Sequence, residues 1–486
     1  MDVQVKFERP NVVYDKVDVR FKKYQRLFSI TDDELINYFR NFVRDATSAV
    51  VEPNSSKGLQ YYDTFILSSS KGNERGTFYI ITFDSSGLEV SKVHLKGRRQ
   101  YSLKNHVFSI EEFNERLPYS NGIKDAQVTA TEFFDCIAMF VREFMIECGD
   151  LNLDSETAEE RAFSCGVSFG FALEKYDLET GTLIDWSKGF ETGRATNDPV
   201  ERSADITEFL IAAFERKQIP LEISTLTNDT PSVLMSSNYC NDSKSPRCTI
   251  GVSLSDGINL CYVERASKRH GYTGFVLVTE CGSYTAFKRN IIDLQIDCFD
   301  SNKGKQLAEK MIAGLYIPEL CRRTLLRIFR ADSPELLWSF GVLTLEACCA
   351  VAYDESPNFE QAQQMTAIML DKKITDLESL KIIRDIFRVV LTRSAKLFSV
   401  IIAGYASMSG KLQPAVGGVT IGICGELFAN HPEYQAEVKR NLVTLLGPVI
   451  SNLVHFHVQP NATTIGTAVL VANAQSLGSF RSYSFF

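Results

Sequence analysis

Apolar and polar positions along the first half of the chain alternate in blocks that predict helices and strands. Thr31 and Glu34 form a capping box, and the helix that follows has apolar residues on one face, namely Leu35, Phe39, Phe42, Val43 and Ala46. After a polar stretch at 52–58, strands are predicted at 62–67 and 77–83, separated by the turn SSSKGNERG. Helices are then predicted near 131–148 and 204–217, and strands near 162–173 and 221–226.

The second half of the chain shows the same alternation of predicted strands and helices. Strands are predicted at 249–254, 260–264 and 274–279, followed by a long helical region at 303–400 with helix caps at Ser333-Pro334 and Thr375-x-x-Glu378. A strand (418–423), a helix (434–446), a strand (452–458) and a last helix complete the pattern. The apolar run 397–408 is too short to span a membrane and is interpreted as a buried helix. Strands alternating with helices in two successive units predict a two-lobed α/β protein.

Composition narrows the class of protein. The chain has 486 residues, and its apolar (44%) and charged (23%) fractions are those of an ordinary globular protein with sizeable cores. A net charge of −8 without a basic patch argues against a nucleic-acid or anionic-membrane partner. The N-terminus MDVQVKFERP lacks the apolar centre of a signal peptide, and no integral membrane segment is predicted.

Cysteine and histidine spacing also limits the chemistry. The twelve cysteines contain no C-x₂-C pair, and Cys348 and Cys349 are adjacent in a helical pattern. Reduced, packed thiols are therefore expected, which indicates a reducing compartment and, most simply, a cytoplasmic protein. The six histidines form no H-x₃-H or H-E-x₂-H arrangement, so no metal site is predicted.

The most informative segment is 181–198, GTLIDWSKGFETGRATND, which is followed by the pair Asn228-Asp229. These motifs resemble the hexokinase family, in which W-T/S-K-G-F presents a hydroxyl and a lysine to glucose and the N-D pair contains the catalytic base. Three further motifs match in order: D-G-I-N-L-C-Y at 256–262, V-T-E-C-G at 278–282 and Q-L-A-E-K-M-I at 306–312. The resemblance covers most of the chain and is greatest to the apicomplexan-type enzymes.

This resemblance implies the actin-like ATPase fold, with two lobes around a sugar and nucleotide cleft. It implies a small lobe at 51–226 and a large lobe at 227–475, with an N-terminal helical region at 1–50 and a tail at 476–486. It also implies that Asp229 is the general base, that Lys188 stabilises charge, and that the hexose contacts Ser187, Lys188, Asn228, Asp229, Asn259, Glu280 and Glu309. Gly170 and Val278 replace a serine and an asparagine of the family, which predicts weakened sugar binding.

The phosphate-binding motifs of the family are altered in this chain. The motif D-x-G-G-T-N-x-R corresponds to 82–89, where Asp84 and Ser85 replace the two glycines and Glu89 replaces the arginine. The motif G-T-G becomes Ser255-Asp256-Gly257, and the last glycine loop, at 461–467, keeps one glycine. The altered nucleotide-binding set implied by the resemblance is Thr82, Asp84, Ser85, Ser86, Asp256, Gly257, Thr464 and Gly466.

Each of these changes is expected to weaken the binding of phosphate. Glycines let backbone amides approach phosphate oxygens, whereas two like charges about 5 Å apart at an effective dielectric near 20 repel by roughly 3 kcal/mol. The sequence therefore predicts that ATP binds weakly or not at all.

Three functions remain open at this stage. The first is a catalytically impaired hexokinase that binds a glucose-like hexose and acts as a sensor or scaffold, without a cofactor. The second is an active ATP-dependent hexose 6-phosphotransferase of glycolysis, using Mg-ATP with Asp229 as the base. The third is an assembly subunit that binds neither ligand, with the aromatic tail at 480–486 as a docking peptide or simply a frayed end. The sequence identifies no protein partner.

Overall fold

The computed structural model describes residues 12–52, 57–151, 162–195, 205–242, 244–415 and 417–483, with 12–16, 185 and 477–483 described by their backbone alone. Its strands, numbered β1 to β13 in chain order, are Tyr61–Asp63, Arg75–Asp84, Gly87–Gly97, Gln100–Ser109, Phe163–Phe169, Ala172–Lys175, Gly181–Asp185, Leu221–Thr227, Cys248–Leu254, Ile258–Val263, Val276–Thr279, Val419–Cys424 and Val454–Val458. Its α-helices are Val12–Phe28, Asp32–Val51, Ile110–Arg116, Ala130–Glu147, Ile206–Arg216, Asp229–Cys240, Ile291–Phe299, Glu309–Ile312, Ile317–Phe329, Leu345–Ala352, Glu360–Met369, Leu377–Met408, Glu426–Ala429, Pro432–Ser451 and Ala462–Tyr483.

Two mixed sheets share one strand arrangement. The five-stranded sheet has the order β4-β3-β2-β5-β8, and the six-stranded sheet has the order β11-β10-β9-β12-β13 with β1 added beside β11. In both, three antiparallel strands are followed by two parallel ones. The repeat confirms the two-lobed α/β fold that the sequence predicts. The five-stranded sheet is the centre of the small lobe, and the six-stranded sheet is the centre of the large lobe.

Each sheet is covered by helices whose apolar faces form its core. In the small lobe, Ala130–Glu147 and Ile206–Arg216 pack with the sheet into one cluster. In the large lobe the main covering helix is Leu377–Met408, in which nearly all side chains from Leu397 to Ala406 are buried, as expected for the apolar run at 397–408. Among the described residues, no helix combines the length and apolar character needed to cross a membrane.

Two helices lie between the sheets and face each other. Asp229–Cys240 packs on the large-lobe sheet, and Ala462–Tyr483 packs on the small-lobe sheet. They approach so closely at Gly466 that a β-carbon there would lie 1.7 Å from the carbonyl oxygen of Ser232. Gly466 is thus required by the helix crossing, whatever its part in binding a nucleotide.

Local sequence signals predict some helix starts correctly and others wrongly. The capping box of Thr31 and Glu34 is confirmed, because Thr31 accepts a hydrogen bond from the Glu34 amide and Glu34 accepts one from the Thr31 amide. The box predicted at Thr375 is wrong, since Asp376 is the N-cap and accepts from the Ser379 amide. The cap predicted at Ser333 is also wrong: Pro334 precedes a 3₁₀ helix and the Ser333 hydroxyl has no partner among the described residues.

The position of β1 corrects the lobe assignment made from chain order. β1 belongs by sequence to the range 51–226, yet it pairs with β11 in the large-lobe sheet. The reason is its tyrosine, because the Tyr61 hydroxyl donates to the carbonyl of Ala46 and is hydrogen-bonded to Tyr405 in the large-lobe core. The strand is also shorter than the predicted 62–67, and residues 64–74 form the crossing from the large lobe to the small lobe.

Candidate functional site

A polar pocket lies between the two lobes. It holds about 460 Å³ of empty space, part of which is open to solvent. All seven residues of the predicted sugar set line it, together with Gly170, Phe171, Ala172, Ser253, Ser255, Gly257, Ile258 and Gln306. The loop after β7, the end of β8, the β9–β10 turn, the end of β11 and the start of a short helix supply these residues. The fold therefore brings together side chains that are up to 122 positions apart in the sequence, from Ser187 to Glu309.

The lysine of the small-lobe loop reaches towards the large lobe. Lys188 has a left-handed backbone (φ 57°), and its Nζ lies 3.4 Å from the carbonyl oxygen of Gly170 and 5.8 Å from the ring centre of Phe171. A β-carbon on Gly257 would lie 3.1 Å from Lys188 Cε and 2.6 Å from Glu309 Oε2. The absence of a side chain at Gly257 thus allows the ammonium and the carboxylate to approach from opposite lobes. Gly257, predicted for the nucleotide, lines the same pocket as the residues predicted for the sugar.

The Asn228-Asp229 pair is held at the crossing between the lobes. Asn228 is buried, and its amide donates to the carbonyl oxygens of Phe171 at 2.6 Å and Phe169 at 3.4 Å. Asp229 is the first residue of its helix, and its Oδ1 accepts from the Thr230 amide at 2.8 Å. The helix N-terminus stabilises the Asp229 carboxylate, which stays on the pocket wall.

Two large-lobe carboxylates complete the wall. Glu280 accepts from the Asn259 amide at 3.1 Å, and Glu309 accepts from the Ile258 backbone amide at 2.9 Å. Burial raises the pKa of Glu309 to about 7, although the Lys188 ammonium opposes the rise. Burial also raises the pKa of Glu280, opposed by the Asn259 hydrogen bond. At neutral pH Glu309 is therefore close to its titration point.

Two buried acceptors in the pocket have no hydrogen-bond partner among the described residues. They are Glu309 Oε1 and Gln306 Oε1. A buried acceptor without a donor costs about 1–3 kcal/mol, so a ligand rich in hydroxyl groups would stabilise this wall. Gln306 was not among the predicted site residues, although it is the first residue of the Q-x-x-E-K-M-I motif and signalled the site in that way.

At the other end of the pocket, Asp84 occupies space next to Gly170. A β-carbon on Gly170 would lie 2.7 Å from Asp84 Cβ, so the serine expected at position 170 is sterically incompatible with a side chain at position 84. Asp84 Oδ1 accepts from the Ser86 amide at 2.8 Å and from the Ser86 hydroxyl at 2.5 Å, which fixes the turn. Glycine in place of serine at position 170 and aspartate in place of glycine at position 84 are thus coupled, because both side chains would occupy the same space.

A hydrogen bond joins the two altered phosphate motifs across the cleft. The hydroxyl of Ser85 in the small lobe donates to Asp256 Oδ2 in the large lobe at 3.0 Å. Nearby, burial raises the pKa of Cys424 to about 12, and the carboxylates of Asp229 and Asp84 add to the rise. These two acids, from opposite lobes, thus lie near one half-buried thiol that the sequence did not single out.

Of the remaining predicted nucleotide residues, the Thr464 hydroxyl is bonded within the protein and the Thr82 hydroxyl is not. Glu89, which stands where the family has arginine, accepts from the Thr464 hydroxyl at 3.0 Å, and so links the small-lobe sheet to the last helix. The Thr82 hydroxyl is buried without a partner among the described residues. No group of three or more His, Cys, Asp or Glu side chains in the described ranges could hold a metal ion.

Two family models match this chain, and both are described as hexokinase. A model described as hexokinase matches residues 20–239, and a second hexokinase model matches residues 249–473. The hexokinase of Plasmodium falciparum is 28% identical over 474 residues, covering 95% of this chain and 94% of its own length. The hexokinase of Toxoplasma gondii is 30% identical over 414 residues, covering 85% of this chain and 86% of its own.

Solved structures agree with this fold. A crystal structure of hexokinase superimposes with a TM-score of 0.81 at 26% identity, covering 95% of this chain and 100% of that chain. The hexokinase of Schistosoma mansoni complexed with glucose superimposes with a TM-score of 0.78 at 21% identity, covering 94% and 99%.

Proposed function

The chain belongs to the hexokinase family, and on this premise we propose that it binds a glucose-like hexose between its lobes while its use of ATP is impaired. The observation that carries the proposal is the pocket itself. Seven polar residues predicted from family motifs line it. Two buried acceptor atoms in it have no hydrogen-bond donor among the described residues. A hexose would thus act as a sensed ligand or as the signal that closes a scaffold.

The pocket supplies both kinds of hydrogen-bonding partner that a polyol needs. Lys188 and the Ser187 hydroxyl are donors, and Asp229, Glu280 and Glu309 are acceptors when ionised. Because each sugar hydroxyl loses water on binding, each needs a partner of this kind. The pocket contains enough of them to bind a sugar even without the serine and asparagine missing at positions 170 and 278.

Impaired use of ATP is supported by charge. Asp84 occupies a position where the family has a glycine, Asp256 one where it has a threonine that donates to phosphate, and Glu89 one where it has an arginine. Phosphoryl transfer depends mainly on positioning and on neutralising the phosphate charge, so three carboxylates at these positions oppose it.

A second candidate is an active ATP-dependent hexose 6-phosphotransferase. It is favoured by the joint presence of Lys188, Asp229, Glu280 and Glu309 in one pocket. In this reaction the sugar hydroxyl oxygen attacks the γ-phosphorus of Mg-ATP, Asp229 takes the hydroxyl proton, and the bond from phosphorus to ADP breaks. Lys188 would stabilise negative charge that develops at the reacting end of the pocket.

Glucose is expected to give a saturable fluorescence change below tens of millimolar. Trp186 lies beside the pocket loop and stacks on Phe190, so closure of the lobes changes its surroundings. Trp338, the other tryptophan, is 61% exposed, and Trp338→Phe leaves Trp186 as the sole reporter. L-Glucose is the matched control, and an equal response to both enantiomers, or none to D-glucose, would contradict sugar binding; a raised melting temperature with D-glucose alone would support it.

Turnover with glucose and Mg-ATP is expected to lie far below the tens per second of ordinary enzymes. The physical reason is the repulsion between phosphate and the carboxylates at positions 84 and 256. A coupled assay with purified protein measures it, and Asp229→Ala is the control for contaminating kinase activity. Turnover of tens per second that disappears in Asp229→Ala would establish the active enzyme instead.

A further inference from the structure

A buried lysine lies behind the pocket, where the chain crosses between the lobes. Lys175 is only 9% exposed and ends β6, which pairs with β7 just before the Trp186-Ser187-Lys188 loop. Its ammonium donates to three backbone carbonyl oxygens: that of Leu226, that of Leu178 at 3.0 Å and that of Thr64 at 3.4 Å.

Two of these carbonyls belong to chain crossings. Thr64 follows β1 in the large-lobe sheet and begins the segment that leads to β2 in the small-lobe sheet. Leu226 lies in β8 of the small lobe, two residues before Asn228 and three before Asp229, where the chain enters the large-lobe helix. One ammonium group therefore binds together two of the segments that connect the lobes.

The same ammonium is linked to both halves of the sugar site. Through the β6–β7 hairpin it is connected to the loop with Ser187 and Lys188, and through Leu226 it is connected to Asn228-Asp229. The Asn228 amide also bonds to the carbonyl of Phe171, which precedes β6. Movement of Lys175 would displace these pocket residues together.

We propose that Lys175 is a positioning residue, whose ammonium holds the two lobe crossings in the arrangement that presents Asp229 and Lys188 to the sugar. This inference rests on the proposed binding of a hexose. The Leu178 carbonyl also accepts from the Leu226 amide at 3.0 Å and from the Thr225 hydroxyl at 3.3 Å, so it keeps donors without the lysine. The carbonyls of Thr64 and Leu226 lie on the two crossings, and an apolar side chain at position 175 would remove the donor that joins them.

Lys175 loses its proton close to neutral pH. Burial lowers its pKa to about 7, and the surrounding carboxylates oppose this: Asp177 and Glu179 in the β6–β7 turn, Asp63 in β1, and Asp205 at the start of Ile206–Arg216. An ammonium has three donors for three carbonyls, whereas a neutral amine has two donors and one lone pair. Loss of the proton thus turns one of the three bonds into a repulsive contact.

Sugar affinity should consequently decrease as the pH rises through about 7. The expected decrease is roughly three- to tenfold, which corresponds to the loss of about one hydrogen bond. Glu309 titrates in the same range but in the opposite sense, since its ionised form is the better acceptor of a sugar hydroxyl. Two variants separate the contributions of these groups.

The first variant is Asp177→Asn. Asp177 Oδ1 accepts from the Glu179 and Thr180 amides, and asparagine keeps that oxygen while removing the charge that most strongly favours the ammonium. The lysine-dependent decrease should move to lower pH, so the variant should bind D-glucose more weakly than the parent near pH 7 and equally at pH 5.5 and 8.5. The contribution of Glu309 should not change.

The second variant is Lys175→Met, which should bind D-glucose several-fold more weakly at pH 6 and lack the decrease at higher pH. The measurement is the D-glucose Kd from Trp186 fluorescence between pH 5.5 and 8.5.

If Lys175→Met fails to fold, Asp177→Asn still decides, because it leaves the three bonds in place. Superimposable pH profiles of the parent and Asp177→Asn would overturn the inference while sugar binding stands. No saturable D-glucose signal in the parent at any pH would overturn both.

Discussion

Replacing Asp84 by glycine and Asp256 by threonine is expected to raise the affinity for Mg-ATP at least tenfold. Each substitution removes one carboxylate from a position where the family approaches phosphate, and each such repulsion is worth roughly 3 kcal/mol at about 5 Å. Even a small part of that energy gives a tenfold change, which needs about 1.4 kcal/mol. The Ser85 hydroxyl, which now donates to Asp256, is released to face the nucleotide.

The contact between Asp84 and Gly170 dictates how this variant is built. Glycine at 84 leaves a space beside Gly170, and the serine of the family fits only when Asp84 is absent. The triple variant Asp84→Gly, Gly170→Ser, Asp256→Thr should therefore bind both ligands better than the double variant. Gly170→Ser alone should be destabilised by about 1–3 kcal/mol, the usual effect of overpacking.

Titration calorimetry with Mg-ATP and urea unfolding test these expectations together. Positions 84 and 170 should couple in a double-mutant cycle, with Gly170→Ser harmful in the parent and harmless beside Asp84→Gly. Asp229→Ala in the triple variant should abolish any recovered phosphate transfer. Unchanged ATP affinity in the double and triple variants would show that repulsion does not cause the weak binding, and would favour a scaffold that never binds nucleotide.

Glutamine at position 309 is expected to stabilise the unliganded protein more at pH 8 than at pH 5, by about 2.5 kcal/mol. The pKa of Glu309 is raised from 4.5 to about 7 in the folded protein by burial, so the folded state holds its proton more tightly than the unfolded state. The stability from this group is present below about pH 4.5 and is lost as the pH rises through 7. Glutamine cannot ionise, so the loss disappears.

Urea unfolding of the parent and Glu309→Gln at several pH values between 5 and 8 measures this difference, and the comparison between pH values cancels any steric effect of the amide. Saturating D-glucose should reduce the pH dependence of the parent, because a sugar hydroxyl that donates to Glu309 Oε1 favours the ionised form. A stability difference between parent and variant that is constant from pH 5 to 8 would contradict the raised pKa. A sugar effect equal in both proteins would contradict the contact.

Contacts between residues near one another in sequence could be predicted in part: the capping box at Thr31 is confirmed, whereas the caps at Ser333 and Thr375 are wrong. Contacts between residues distant in sequence could not be predicted. Thr31 and Glu34 form their capping box because three positions of spacing suffice for both bonds. The residues of the predicted sugar set could be named because each lies in a short motif of the family. The placement of β1 could not be predicted, since it depends on Tyr61 meeting Tyr405 across 344 positions. The contact between Asp84 and Gly170 could not be predicted either, because only the fold shows that side chains at these two positions would occupy the same space.

During synthesis, the small lobe depends on the helix Ala462–Tyr483, which is made long after the strands of its sheet. The small-lobe sheet is complete in sequence at Thr227, but one of its faces is covered by Ala462–Tyr483. At 5–20 residues per second, a ribosome needs roughly 10–50 s to make the intervening chain. During that time the apolar face that later contacts Ile465 and Val469 has no cover of its own. Nascent chains of this protein should therefore be clients of chaperones until residues 462–483 have left the ribosome, and truncation before position 462 should yield aggregates rather than a folded lobe.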